Sequence, residues 1–389
     1  MLRLLLSSTF CFVINVYWWL PKSSTTSPIT PVLEGTTVFK AGDDGYMCYR
    51  IPALVKAPDG TLLAFAEARR QGCNDFGDVD IVLKASRDNG QTWSAQKLVA
   101  DNGSMQAGNP APVFDLTDAR YPDGRLFLVY NTGVASEQEV RDGKAIREIW
   151  YKTSLDAGLT WSDPVNITPQ VSRPNKPNVN PAYAFAEDWR SYANTPGHAL
   201  QLKRGRLFVA ANHSAGPPQP QFRDYRAHAF FSDTHGQTWH LTPDVAYPGS
   251  NESTAAELEG GKVLMNIRNQ SGDVKRRLMA RLTKRGTNWE SVTIANDLPD
   301  PVCEGSMVSF QRPNGKRILL FCNPNSENKR EKLTLRASTD NGRHWTIVRE
   351  IYAGSSAYSD LVVQQNGQIG VLFERDNYSV ITYTALGFV

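Results

Sequence analysis

Four copies of one eight-residue phrase constrain the fold of this chain more than any other feature. They are Ser86–Trp93 (Ser-Arg-Asp-Asn-Gly-Gln-Thr-Trp), Ser154–Trp161 (Ser-Leu-Asp-Ala-Gly-Leu-Thr-Trp), Ser232–Trp239 (Ser-Asp-Thr-His-Gly-Gln-Thr-Trp) and Ser338–Trp345 (Ser-Thr-Asp-Asn-Gly-Arg-His-Trp). Each carries Ser, then Gly four residues on, then Trp seven residues on; Asp stands third in three copies and Thr234 takes that place in the other. A worn copy, Leu282–Trp289, keeps only Gly286 and Trp289. Asp accepts bonds from nearby backbone N–H groups, Gly supplies a positive φ, and Trp re-enters the apolar layer, so the phrase reads as a hairpin turn. Unrelated Asp/Gly turns would not repeat at three fixed offsets. The copies begin at 86, 154, 232, 282 and 338, giving intervals of 68, 78, 50 and 56 residues. Blades of propeller repeats run ~40–50 residues, so each interval fits one blade with added loops.

The rest of the chain agrees with an all-β reading. Apolar runs Leu62–Ala66, Leu126–Tyr130, Leu207–Ala210, Val263–Ile267, Ile318–Phe321 and Ile369–Phe373 follow turn signals such as Asp59-Gly60, Asp123-Gly124 and Asn366-Gly367. No long amphipathic helical pattern occurs after Leu33. The span 33–389 shows no composition break and is expected to form one six-bladed β-propeller domain. Before it, Leu4–Leu20 is mostly apolar, follows Arg3 and stops at Pro21-Lys22. Residues 1–20 therefore read as a secretory signal, with an N-terminal anchor bearing Tyr17-Trp18-Trp19 as the alternative, and 21–32 as a Ser/Thr/Pro-rich linker. Export to the outside of the cell, the periplasm, the cell surface or the lysosome follows.

The net charge of +3 over 389 residues gives no reason to expect a nucleic-acid partner. Beyond Cys11 in the leader, four cysteines remain, with no metal-site spacing among them. Cys303 and Cys322 fall in neighbouring strand-like runs and are able to pair across a hairpin, but free buried thiols are the default expectation. Cys48 and Cys73 lie beside polar candidates and are the other pair able to face each other.

Several polar residues stand outside the repeat. Tyr49-Arg50-Ile51-Pro52 opens the fold; Glu67-Ala68-Arg69 ends an apolar run and precedes a loop holding Asp75, Asp78 and Asp80. Ser250-Asn251-Glu252 precedes a hairpin ending in Asn266-Ile267-Arg268-Asn269, Arg330 sits in a charged loop, and Ser355–Ser359 and Phe373-Glu374-Arg375 complete the set. Propeller loops converge at one end of the axis, so residues from different blades are able to share a pocket. Arg50, Arg268 and Arg330 around one point would bind a carboxylate or phosphate.

Arg-Ile-Pro at Arg50–Pro52, the Asp-box phrases, Asn251-Glu252, Asn266-Ile267-Arg268 and Ser356-Ala357-Tyr358-Ser359 follow one another as in sialidases, and the chain resembles that exo-α-sialidase (neuraminidase) family over nearly all of its span after the leader. The resemblance implies that Arg50, Arg268 and Arg330 hold the C2 carboxylate of sialic acid and that Glu374 orients the first of them. It implies Tyr358 as nucleophile, Glu252 as the carboxylate taking its proton, Asp75 as general acid and base, and Arg69 near the C4 side of the sugar. A neutral phenol avoids the repulsion that a carboxylate nucleophile would meet at a carbon bearing a carboxylate; the Tyr nucleophile of sialidases is a recognised exception among glycosidases. This chemistry calls for no metal or other cofactor. The implied substrate is a sialylated glycan, hydrolysed with retention. A trans-sialidase or intramolecular trans-sialidase would share these residues, as would a hydrolase for a related 2-keto acid sugar; an Asp-box propeller that only binds glycan would lack them. Sequons at Asn251 and Asn269 flank Glu252 and Arg268, where glycans would crowd the pocket.

Overall fold

Each Asp-box phrase joins the third strand of a four-stranded antiparallel unit to its fourth. In the computed structural model, which describes residues 35–387 apart from 284, 285, 287, 313 and 314, the box at Ser86–Trp93 connects strand Val79–Ser86 to Lys97–Ala100. Those at Ser154, Ser232 and Ser338 follow strands Arg147–Ser154, Tyr225–Ser232 and Glu331–Ser338 in the same way. The worn copy closes with a bridge between Leu282 and Trp289. The expected leader (1–20) and linker (21–32) lie outside the described residues. No helix among the described residues is long and apolar enough to cross a membrane.

Among the described residues the strands group into six such units. The first comprises Cys48–Lys56, Leu62–Arg69, Val79–Ser86 and Lys97–Ala100. The second runs from Gln106–Asp115 to Val165–Asn166, the third from Trp189–Asn194 to His240–Leu241, and the fourth from Ser250–Glu257 to Thr293–Pro299. The long strand Thr346–Val363 serves two units. Its first half is the outer strand of the fifth, and its second half pairs with Ile369–Arg375 to begin the sixth. The sixth unit is completed by the earliest strand, Thr36–Lys40, which pairs with Val380–Leu386 and so joins the two ends of the domain. All six apolar runs read from the sequence are second strands of these units.

The core is distributed between units, which is why the runs are apolar on both faces. Leu63, Phe65 and Ile81 of the first unit pack with Leu126 and Leu128 of the second. Equivalent clusters follow around the molecule, and Leu54 and Leu62 of the first unit meet Leu372 and Tyr383 of the last. The boxes staple these contacts. Ser86 Oγ accepts from Gly90 N at 2.8 Å, while Asp88 accepts from Thr92 N at 2.9 Å. Gly90, at φ +89°, lies so close to the last unit that a Cβ there would stand 2.0 Å from the Tyr383 ring; at Gly236 it would stand 2.5 Å from Phe127 of the preceding unit. Thr234 replaces Asp without loss of the turn, because its Oγ1 accepts from Thr238 N at 2.9 Å.

Candidate active site

Five of the six first strands carry a register shift near their starts: between Arg50 and Ala53, Gly108 and Ala111, Trp189 and Tyr192, Ser250 and Ser253, and Ser356 and Ser359. Such bulges re-aim side chains out of the pleat. Here they bracket Ile51, Asn109, Ser191, Glu252 and Tyr358, all of which line one cleft. Ile51 pays for this with a left-handed backbone (φ +58°), which is uncommon for a β-branched residue and is seen where surrounding structure over-determines it.

What over-determines it is Glu374. This fully buried carboxylate accepts Arg50 Nε at 3.0 Å and Arg50 Nη2 at 3.1 Å, a bidentate pair, and also the backbone N–H of Ile51 at 2.8 Å and of Tyr358 at 3.1 Å. One carboxylate thus fixes both the guanidinium plane and the backbone that carries the tyrosine. The Arg50 guanidinium also lies over the Tyr378 ring at 4.2 Å.

Tyr358, Glu252 and Arg268 form a closed triangle. The phenol donates to Glu252, whose two oxygens are each 2.7 Å away; Arg268 Nη1 donates to the phenol oxygen at 2.8 Å and to Glu252 at 2.5 Å. Glu252 and Arg268 come from the paired strands Ser250–Glu257 and Val263–Asn269, the two arms of one hairpin. Burial pushes the Tyr358 phenol well above its ordinary pKa, and Glu252 pushes it further, while Arg268 and Arg330 pull it down without cancelling the rise. The resting phenol is therefore protonated. Arg330 comes from the loop before strand Glu331–Ser338 and is held by Tyr378 Oη at 3.2 Å and the carbonyl of Val302 at 3.1 Å.

Asp75 projects from the loop after strand Leu62–Arg69, with 76% of its side chain exposed. Arg69 Nη1 reaches its Oδ1 at 2.9 Å and Arg50 Nη1 reaches the same atom at 3.4 Å. Lost hydration at the cleft wall would raise the Asp75 pKa, but Arg69 and Arg50 outweigh it and hold the carboxyl below its usual range. Arg69 is itself fixed by Glu67 Oε2, at 3.0 Å from Nε and 2.6 Å from Nη2. The two other acids expected in this loop are engaged elsewhere: Asp78 pairs with Arg70, and Asp80, which lies in strand Val79–Ser86 and not in the loop, is buried and accepts from Tyr46 and Arg70.

Arg50, Arg69, Asp75, Glu252, Arg268, Arg330 and Tyr358 thus line a single cleft, with Glu374 directly beneath it. Arg336, a neighbour of Arg330 in sequence, is buried elsewhere on Asn323 and Asn325. Sequence reasoning missed several wall residues, among them Gln106, Asn109, Arg147, Asn212 and Gln270. Gln106 Oε1, Arg147 Nε, Asn212 Nδ2 and Gln270 Oε1 are buried side-chain atoms without a hydrogen-bond partner, so the wall holds unused polar capacity. Their only signal was position at the same end of a unit, near the start of a first or third strand, near the end of a second strand, or in a loop beside them. Of the two sequon residues beside the site, both Asn251 and Asn269 are buried, and the Asn269 amide is committed to Asp273 and the carbonyl of Val274.

The default expectation of free buried thiols holds for Cys303 and Cys322 and fails for Cys48 and Cys73. Cys48 and Cys73 form a disulfide, whereas Cys303 and Cys322 are the free, buried thiols. Ser306 faces Cys322 across the hairpin, which leaves Cys303 three residues short of that position.

Comparison with known proteins places this geometry. Residues 60–371 match the BNR repeat-like domain. The chain is 30% identical over 357 residues to a sialidase of Micromonospora viridifaciens, covering 86% of this chain but 50% of that protein, so it spans half the length of that relative. It is 28% identical to Sialidase-2 of Cricetulus griseus over 91% of this chain and 95% of that one. Its fold superposes on a Hadza microbial sialidase with a TM-score of 0.74 at 27% identity, covering 91% of this chain and 68% of the other. Trypanosoma rangeli sialidase shares the fold alone, with a TM-score of 0.72 at 20% identity over 92% of this chain and 60% of that one. With its Asp-box repeats, its all-β architecture and these relatives, the chain belongs to the exo-α-sialidase family of glycoside hydrolases.

Proposed function

We propose that this protein is a retaining exo-α-sialidase that releases terminal α-linked sialic acid from glycans through a tyrosyl intermediate. The observation that carries the reading is the Tyr358–Glu252–Arg268 triangle, a phenol set against a proton acceptor and a cation in the wall of a cleft that also holds Arg50 and Arg330. Arg50, Arg268 and Arg330 grip the substrate carboxylate, and Glu374 holds the first of them in plane. Tyr358 Oη then bonds to C2 as its proton passes to Glu252, and the C2–O bond to the aglycone breaks as Asp75 protonates the leaving oxygen. In the second half, water attacks C2, Asp75 accepts its proton, and Glu252 returns the proton to Tyr358 as that bond breaks. Two displacements restore the original anomeric configuration. Arg69 braces Asp75 and faces the sugar beside it. By keeping the carboxylate clamped throughout, the three arginines fix the sugar's geometry through the oxocarbenium-like transition state.

The six units, with a core between each successive pair and the last packed on the first, support a six-bladed propeller as the scaffold. Export through the N-terminal segment is part of the same reading; it is supported by the Cys48–Cys73 disulfide, a bond that persists in oxidising compartments.

The test uses an α-sialoside with a fluorogenic aryl aglycone. Release of fluorophore, with the α-anomer of free sialic acid appearing first by NMR, supports the proposal. A β-anomer first would remove retention, and an anhydro or transferred product would replace hydrolysis by one of the transferase outcomes. Labelling with a fluorinated sialosyl fluoride should place the sugar on the Tyr358 peptide by mass spectrometry; label elsewhere would remove the tyrosyl intermediate.

A further inference from the structure

Asp75 has the least secure footing of the cleft residues. Its loop leaves strand Leu62–Arg69 and re-enters at Val79–Ser86, and Arg70 N donates to the carbonyl of Asp78 at 3.1 Å to close its base. Between those points, among the described residues, Gln71–Gly77 form no backbone–backbone hydrogen bond. Gly72 and Gly77 bracket Asp75 at φ +140° and +147°, and a Cβ at Gly72 would meet nothing within 4 Å. A segment with exposed residues and so little internal bonding belongs to the low-stability end of a fold.

Three ties hold it. Arg69 Nη1 donates to the carbonyl of Cys73 at 2.5 Å, Arg69 and Arg50 pair with Asp75, and the Cys48–Cys73 disulfide anchors the loop to the first strand. Cys48 faces Arg69 across that strand pair and is two residues from Arg50. The ion pairs weaken when they matter most. Asp75 is largely exposed, where such pairs contribute little, and a substrate carboxylate arriving at Arg50 competes for the same guanidinium. The covalent tie does not depend on charge.

We propose that the Cys48–Cys73 disulfide is a positioning element for Asp75, making cleavage of substrates with poor leaving groups depend on the oxidation state of that bond. This rests on the glycosidase reading above. Reduction by a dithiol breaks the S–S bond, adds two electrons and two protons to give two thiols, and closes the reagent to its own disulfide. Cys73 is exposed and accessible to the reagent, while the described free thiols, Cys303 and Cys322, are buried.

The experiment compares oxidised protein, dithiothreitol-reduced protein and Cys73→Ser on two substrates: an aryl α-sialoside with an acidic phenol leaving group, and a sialylated lactose with a sugar leaving group. The readout is kcat/KM, which reports steps through the first bond cleavage and so excludes the role of Asp75 towards water. A sugar alkoxide needs the acid and a phenolate scarcely does. Given the ~10²–10⁴-fold usually supplied by general acid–base catalysis, loosening the loop should lower kcat/KM on the lactose by roughly tenfold or more and on the aryl sialoside by less than about threefold. Reoxidation should restore the loss, intrinsic tryptophan fluorescence should not change, and reduction should add nothing in an Asp75→Ala background. Equal losses on both substrates would make the bridge a structural staple only, and no loss on either would make it irrelevant to catalysis; both overturn the proposal. If the oxidised protein cleaves neither substrate, the glycosidase reading itself falls and this inference with it.

Discussion

The phenol of Tyr358 stands 2.7 Å from each carboxylate oxygen of Glu252, although the two residues are 106 positions apart in the chain. Both oxygens are within reach of the phenol proton, and Arg268 Nη1 touches the phenol oxygen and Glu252 Oε2 at once. On the mechanism proposed above, a proton leaving the phenol would stay within the triangle, with Arg268 beside both the phenol oxygen and Glu252.

Removing the phenol should therefore abolish attack without unfolding the protein. Tyr358→Phe is expected to lower kcat by roughly 10²–10⁴-fold. Glu252 keeps its partner in Arg268, so stability should change by only about 1 kcal/mol, the scale of one lost hydrogen bond. Glu252→Gln should cost a similar factor in kcat, and the double variant no more than the larger single loss, because the two residues act in one step. Steady-state kinetics with thermal melts check all three; additive losses would show that the residues act separately.

Glu374 presents the opposite case, in which stability and binding fall together. Glu374→Ala leaves the buried Arg50 charge uncompensated and strips acceptors from Ile51 N and Tyr358 N. Breaking a buried pair in this way costs about 3–5 kcal/mol, so the melting temperature should drop clearly, and KM should rise as Arg50 leaves its plane. Glu374→Gln, which preserves shape and one acceptor, should lose less by both measures in denaturant titration and kinetics.

The boxes make a purely structural prediction. Gly90 and Gly42 have nearly the same φ (+89° and +90°), but a Cβ at Gly90 meets Tyr383 at 2.0 Å and one at Gly42 meets nothing within 4 Å. Gly42→Ala should cost only the backbone term of about 1 kcal/mol. Gly90→Ala adds overpacking at the contact between the first and last units, on the order of 3 kcal/mol in all. Equal costs by urea unfolding would mean that the box glycine serves its turn and not the junction.

Much of this was legible in the chain because turn chemistry is local. The Ser, Asp, Gly and Trp offsets specify a hairpin within eight residues, and the apolar runs announce strands buried on both faces. The sixth unit has no box, and only its Asn366-Gly367 turn and apolar run marked it. Arg50 stood out among strand-like apolar residues, Arg330 lay in a charged loop, and the resemblance to sialidases gave these and Arg268 their expected role. Glu67 was visible beside Arg69, but its service to Arg69 and to Asn109 N, at 2.8 Å, depends on two units meeting. The same is true of Gln106, Arg147 and Gln270, whose residue types are ordinary and whose value lies in where bulges and loops aim them. The Cys48–Cys73 pairing stayed open in the sequence for a similar reason: settling it requires knowing that Cys48 stands opposite Arg69 and that the loop folds back over that pair.

The last prediction concerns Asp75 and pH. A general acid must be protonated, yet Asp75 in the free protein is held below the ordinary carboxylate range: lost hydration raises its pKa, but Arg69 and Arg50 lower it by more. The free protein therefore loses its competent form as pH rises through that depressed value, and kcat/KM should fall along an alkaline limb that begins in the acid range. Bound substrate changes the balance, because its carboxylate places a negative charge on Arg50 and cancels part of the positive field that kept Asp75 ionised. A nearby negative charge favours the protonated acid, so the pKa rises in the complex. The alkaline limb of kcat should accordingly lie at higher pH than that of kcat/KM, with the lactose-linked substrate showing the separation most clearly. Tyr358, pushed upward by burial and Glu252, stays protonated throughout and adds no competing limb. The aryl sialoside, whose phenolate scarcely needs the acid, should show these limbs weakly, and in Asp75→Ala whatever limb it shows should disappear. If kcat and kcat/KM turn down at the same pH, the substrate carboxylate does not relieve Asp75 of its arginines, and the acid must be protonated by another route.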